Sequence, residues 1–102
     1  MISKEDYAIR RSWGEALRRR RIEKKLSQTV VIVRAKISHT ILASYERNAV
    51  MPTVFTARKI LKVLDWTLEE WAEGAEKIYE DGSWYNERFD HEYGYPQERR
   101  LQ

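Results

Sequence analysis

The chain has 102 residues, 42% of them hydrophobic and four of them Trp, which is room for one ordinary core with an extension rather than two full domains. It has no cysteine, so disulfides, thiol catalysis and cysteine zinc sites are excluded together. Net charge is only +3, yet residues 1–64 carry 15 Lys/Arg against 5 Asp/Glu while residues 65–102 carry 4 against 11. A basic half joined to an acidic half is the electrostatic footprint of a nucleic-acid binder with a differently employed tail. No apolar run approaches the ~20 residues of a membrane span. The charged start, MISKEDYAIRRSW, lacks a signal peptide's apolar stretch, so a soluble, cytoplasmic protein is expected.

Residues up to about Asp6 read as a frayed terminus, and Tyr7 to about Lys24 as a first helix with Trp13, Ala16 and Leu17 at core spacing. The run Arg18 to Arg21 lies where a helix dipole favours cations. Ser27 and Ser38 each precede a short apolar-patterned run, which makes both candidate N-caps. They predict a second helix over 28–35 and a third over about 39–47, joined by Ala35-Lys36-Ile37. Two short helices with so tight a connection make a helix-turn-helix. Ile37, Leu42 and Tyr45 should point inward. Pro52 stops the following loop, and Thr53 should cap a fourth helix with Val54, Ala57, Ile60, Leu61 and Leu64 buried. Thr67-Leu68-Glu69-Glu70 has capping-box spacing and opens a fifth helix, which adds Leu68 and Trp71 to the core.

Beyond Gly74 the composition changes. Residues 75–81 continue or restart a helix that Gly82 would end. Trp84, Tyr85, Phe89, Tyr93 and Tyr95 are too many aromatics for a disordered linker. This extension, 75–102, could pack on the first or fifth helix, form a dimer contact, or order on a partner. Glu87, Asp90, His91 and Glu92 could be drawn as a metal cluster, but such charges meet by chance in a polar tail. No metal, cofactor or catalytic group is expected.

Leu17, Arg21, Leu26-Ser27-Gln28, Ala35, Ile37-Ser38, Leu42, Glu46-Arg47 and Pro52 occur in an order and spacing that resembles the XRE family of helix-turn-helix proteins, the Cro/cI-type repressors and their bacterial relatives. The resemblance covers about Trp13 to Trp71. It implies an all-α, five-helix lambda-repressor-like domain over residues 1–74. Lys36 and Asn48 stand where the family usually has Gly, so a left-handed backbone is expected at both. The resemblance also implies an ion pair between Arg21 and Glu46 that locks the first helix to the third, the recognition helix. Ser38, His39, Thr40, Ile41 and Ser44 then become base-reading candidates. Gln28, Arg20, Arg34, Lys36, Arg47 and Asn48, the last through its backbone, become phosphate contacts, with Arg18, Arg19 and Lys24 or Lys25 also free for phosphates.

Short polar side chains at a helix start suit major-groove reading, because they reach base edges without backbone collision. Arg58, Lys59 and Lys62 read as a solvated second cationic face. The function implied is a sequence-specific transcriptional regulator, a repressor working as a homodimer on an inverted repeat in double-stranded DNA. A rival reading makes the chain an antitoxin or adaptor whose C-terminal tail binds a partner protein. Those readings separate on the tail, not on the helix-turn-helix.

Overall fold

The computed structural model describes residues 2–93, and among them every regular element is helical. The helices are α1 (Lys4–Glu23), α2 (Gln28–Ala35), α3 (Ile41–Arg47), α4 (Val54–Val63), α5 (Leu68–Asp81) and the single turn α6 (Glu87–Asp90), which runs into a 3-10 turn at His91–Tyr93. Met1 and residues 94–102, with Tyr95, lie outside the described residues.

Helix α1 begins earlier than its periodicity predicts. Ser3 Oγ accepts from the Asp6 amide at 3.0 Å, and Glu5 and Asp6 place negative charge on the first turn. That cap brings Tyr7 and Ala8 into the core, so the segment before Tyr7 is not wholly frayed. Ser27, Thr53 and Thr67 cap α2, α4 and α5 as their positions predict, and the Thr67–Glu70 capping box is complete.

Ser38 does not cap. The Ile41 amide donates to the Ser38 carbonyl at 3.3 Å, and Thr40, already in a helical conformation, stands at the N-cap without a side-chain bond. The third helix therefore starts at Ile41, and Ser38-His39-Thr40 form an exposed turn before it.

Three helix ends are closed by a left-handed residue that is not glycine. Lys25, Lys36 and Asp65 have φ of 59°, 56° and 53°. The amides of Leu26, Ile37 and Trp66 reach back to the carbonyls of Arg21, Ile32 and Leu61, at 3.1, 3.2 and 3.0 Å. This is the Schellman arrangement, and each of those amides belongs to a hydrophobic residue that packs on the core. Core packing of the next residue thus offsets the ~1 kcal/mol cost of a Cβ in this region.

The fourth left-handed residue is Ala49 (φ 57°), not Asn48 (φ −105°). Asn48 still donates its amide to the Ser44 carbonyl at 2.8 Å, so the helical turn includes it and the reversal falls one residue later. Ala49 is small enough to turn inward there and is buried.

Helix α1 is the axis of the molecule, with α3 and α5 both packed on it, while α2 packs on α4. Leu17, Val31, Leu42, Ile60 and Leu64 meet at the centre, each at most 1% exposed. Gly14 lets α1 and α3 approach closely: a Cβ there would lie 2.0 Å from the Tyr45 carbonyl oxygen. On the other side the Trp71 indole donates to the Trp13 carbonyl at 2.9 Å, and the two rings meet edge to face. Two predicted core positions fall outside. Val54 is 66% and Leu68 42% exposed, because each is the first residue of its helix and overhangs the core.

Helix α5 runs through Gly74 unbroken to Asp81, and Ala75, Ile78 and Tyr79 continue its buried stripe. Gly82 (φ 72°) then reverses the chain. The segment after it packs back on α1: Trp84 is 3% exposed, and Tyr93 stacks on Tyr7 with centroids 3.6 Å apart. The described part of the extension thus packs on α1, through Tyr7 and Arg11.

Candidate nucleic-acid interface

The third helix has seven residues, too few to be stable alone. Its orientation must come from what holds it. Leu42 and Tyr45 anchor its inner face. Its last turn is fixed by Glu46, 3% exposed, whose carboxylate accepts two parallel bonds from Arg21, at 2.8 and 3.1 Å. Gln28 Nε2 adds a third at 3.0 Å, and Arg21 also donates to the Leu26 carbonyl. One carboxylate therefore ties α1, the start of α2 and the end of α3 together.

Arg11 holds the same turn from the opposite end of α1. Its guanidinium, 3% exposed, meets Asp90 at 2.8 and 3.0 Å and the Trp84 carbonyl at 2.7 Å, and it reaches the Glu46 carbonyl at 3.4 Å. Asp90 is fully buried and accepts in addition from the Tyr7 hydroxyl and the Asn86 amide. Burial first, then the hydrogen bond to Asp90 and its negative charge, push the Tyr7 hydroxyl above the ordinary tyrosine range. Tyr7 therefore stays a donor throughout.

With these groups turned inward, the face left outward is polar and free of acids. Ser38, His39, Thr40 and Ala43 are exposed, and Ile41 and Ser44 are half-buried at its edge. From residue 27 to 50 the one carboxylate is the neutralised Glu46, while Arg34, Lys36 and Arg47 are all exposed. The Arg47 guanidinium lies 4.6 Å from the centre of the Phe89 ring.

Several expected phosphate contacts are already engaged. Arg20 donates to the Leu64 and Asp65 carbonyls at 3.0 and 2.9 Å, pairs with Glu23 and lies over Trp66. It caps the end of α4, whose last carbonyls would otherwise lack donors. Arg18 and Arg19 share Glu15, and Arg19 also bonds Ser83, although both are nearly half exposed and such pairs are weak. Gln28 gives one of its two amide N–H groups to Glu46, which makes it a brace and leaves the other N–H for a further partner. The Asn48 amide is bonded within α3 and cannot serve a phosphate. Arg34, Lys36 and Arg47 stay available, and the α2 N-terminus adds its dipole.

A family model described as helix-turn-helix, of the XRE type, matches residues 17–71, more than half of the chain. The chain belongs to that family. It is accordingly an all-helical, lambda-repressor-like domain and, in general terms, a DNA-binding regulator of transcription. No curated protein matches it, and no solved structure does. The match runs from Leu17, within α1, to Trp71, in the first turn of α5, so it takes in neither the first half of α1 nor anything after Trp71. Among the described residues no group of acidic or histidine side chains could hold a metal ion, and no helix is long and apolar enough to cross a membrane.

Sequence reasoning missed Arg11, Gly14, Phe89 and the role of Asp90. Gly14 inside a helical run was a visible signal, since such a glycine costs ~1 kcal/mol against Ala and usually marks a close approach. Arg11 and Asp90 are 79 residues apart and gave none.

Proposed function

We propose that the protein is a sequence-specific repressor that binds an inverted-repeat operator as a homodimer and acts by occupancy. The observation that carries this reading is the outward face of the third helix and its preceding turn. Short polar groups at Ser38, His39, Thr40 and Ser44 sit on an element clamped by Arg21, Gln28 and Glu46, with cations on either side and no unpaired acid. Hydroxyls donate or accept, His39 can donate to a guanine edge, and Ile41 or the Thr40 methyl can touch a thymine methyl. Arg34, Lys36 and Arg47 supply register through phosphates. Dimerisation follows from the few bases one such helix can read, since two half-sites are needed for useful selectivity.

The adaptor or antitoxin reading has less support. Trp84 and Tyr93 are committed to Tyr7 and Asp90 to Arg11, which leaves fewer side chains in 82–93 for a partner.

The test is a titration of the full-length protein against DNA from upstream of its own gene and against a scrambled duplex, over a salt series. Tight binding to one duplex that weakens steeply with salt is the expected result. Equal, weak binding to both, repeated across a library of random duplexes, would remove the sequence-specific reading.

A further inference from the structure

A cleft of about 290 Å³ opens between α1, the end of α3 and the segment after α5, and Arg11, Arg18, Arg47 and Arg88 all line it. Arg11 is matched by Asp90, and Arg18 by Glu15. Arg47 and Arg88 have no carboxylate within ion-pair distance among the described residues. Both nevertheless approach one ring, that of Phe89, at 4.6 and 5.7 Å from its centre.

Two guanidinium groups lining one cleft repel each other, and an exposed cation–π contact returns only ~0.5–1 kcal/mol each. The acids nearby cannot relieve that repulsion. Glu15 is shared by Arg18 and Arg19, and Glu46 directs its carboxylate to Arg21 and Gln28 and its carbonyl to Arg11. An anion with several oxygens would turn the repulsion into two attractions, each in the planar fork geometry that guanidinium favours.

We propose that this cleft is a phosphate-binding site, with Arg47 and Arg88 as its two anion ligands and Phe89 as the ring that both of them approach. The phosphate belongs either to the DNA backbone flanking a half-site or to a free phosphorylated small molecule. Only the first source rests on the DNA-binding reading. In either case the occupied site joins the end of the recognition helix to the segment after α5, a part of the chain that the family match leaves out.

The experiment titrates inorganic phosphate into the full-length ¹⁵N-labelled protein, with chloride holding ionic strength constant, and follows the amides of Arg47, Arg88 and Phe89. Saturable shifts are expected there, weakened at least tenfold in Arg88→Gln and unchanged in Arg58→Gln on the exposed face of α4. Arg88 is exposed, so the variant should melt with the native protein; Arg88→Lys, which keeps the charge but not the fork, should fall between the two. A second arm measures duplex affinity against salt. A slope reduced by about 1 in Arg88→Gln assigns the site to a backbone phosphate. An unchanged slope with saturable phosphate binding assigns it to a free phosphorylated ligand. No Arg88-dependent phosphate shift together with an unchanged slope overturns the site. Should the protein bind no duplex at all, the regulator reading falls while the phosphate titration still decides the cleft.

Discussion

Replacing Gly14 by alanine sets two physical effects against each other, and the structure says which is larger. In an isolated helix the change stabilises by about 1 kcal/mol, through higher helix propensity. Here the added methyl would lie 2.0 Å from the Tyr45 oxygen and 3.1 Å from its carbon. Carbon and carbonyl oxygen rarely come closer than about 3 Å, so α3 must retreat by roughly 1 Å. The obstacle is backbone, and no rotamer change can absorb it. Overpacking of this kind costs about 1–3 kcal/mol. Set against the propensity gain, the net is a loss of up to about 2 kcal/mol, or as much as roughly 8–16 °C in Tm for a domain of this size. The retreat also stretches the Arg21–Glu46 fork and moves the outward face of α3, so on the proposed function duplex affinity should fall at least tenfold. Thermal melting and an operator titration on Gly14→Ala check both numbers. A variant that melts at or above the native temperature with unchanged affinity would refute the packing account.

Arg21→Ala leaves the Glu46 carboxylate, 3% exposed, with Gln28 as its remaining side-chain partner. It should cost about 2–4 kcal/mol by urea denaturation, somewhat below a wholly buried pair because Arg21 is 14% exposed. Arg21→Lys should recover only part, since an ammonium cannot form the two parallel bonds. Lys36→Gly should separate stability from binding. Relief of the left-handed backbone (φ 56°) should raise stability by about 0.5–1 kcal/mol, while loss of an exposed cation lowers the salt slope of duplex binding by about 1. Tyr7 supplies a pH test. Its folded-state pKa is raised, so its contribution is complete below the unfolded value of about 10 and declines as pH rises beyond it, where the unfolded chain binds fewer protons. The stability gap between native protein and Tyr7→Phe should therefore narrow between about pH 9 and 11.5 in urea melts; a constant gap would contradict the Tyr7–Asp90 bond.

Local chemistry in the sequence decided most of the helical frame. Ser27, Thr53 and Thr67 marked helix starts, Gly82 an end, and the spacing of Ala57, Ile60, Leu61 and Leu64 a buried face, because caps and periodicity act within a few residues. The same local reasoning failed where a neighbouring turn competed. Ser38 gave up its cap to the turn ahead of α3, and the left-handed residue moved from Asn48 to Ala49. Which cations remain for a ligand was a tertiary matter. Four consecutive arginines look alike in sequence, yet Arg20 is turned to the end of α4 and Arg21 to Glu46, while Arg47 stays outward beside Phe89. The extension was legible only as aromatic and acidic. That Asp90 crosses 79 residues to neutralise Arg11, and so binds the segment after α5 to α1 and α3, depends on burial of both charges, which no periodicity encodes.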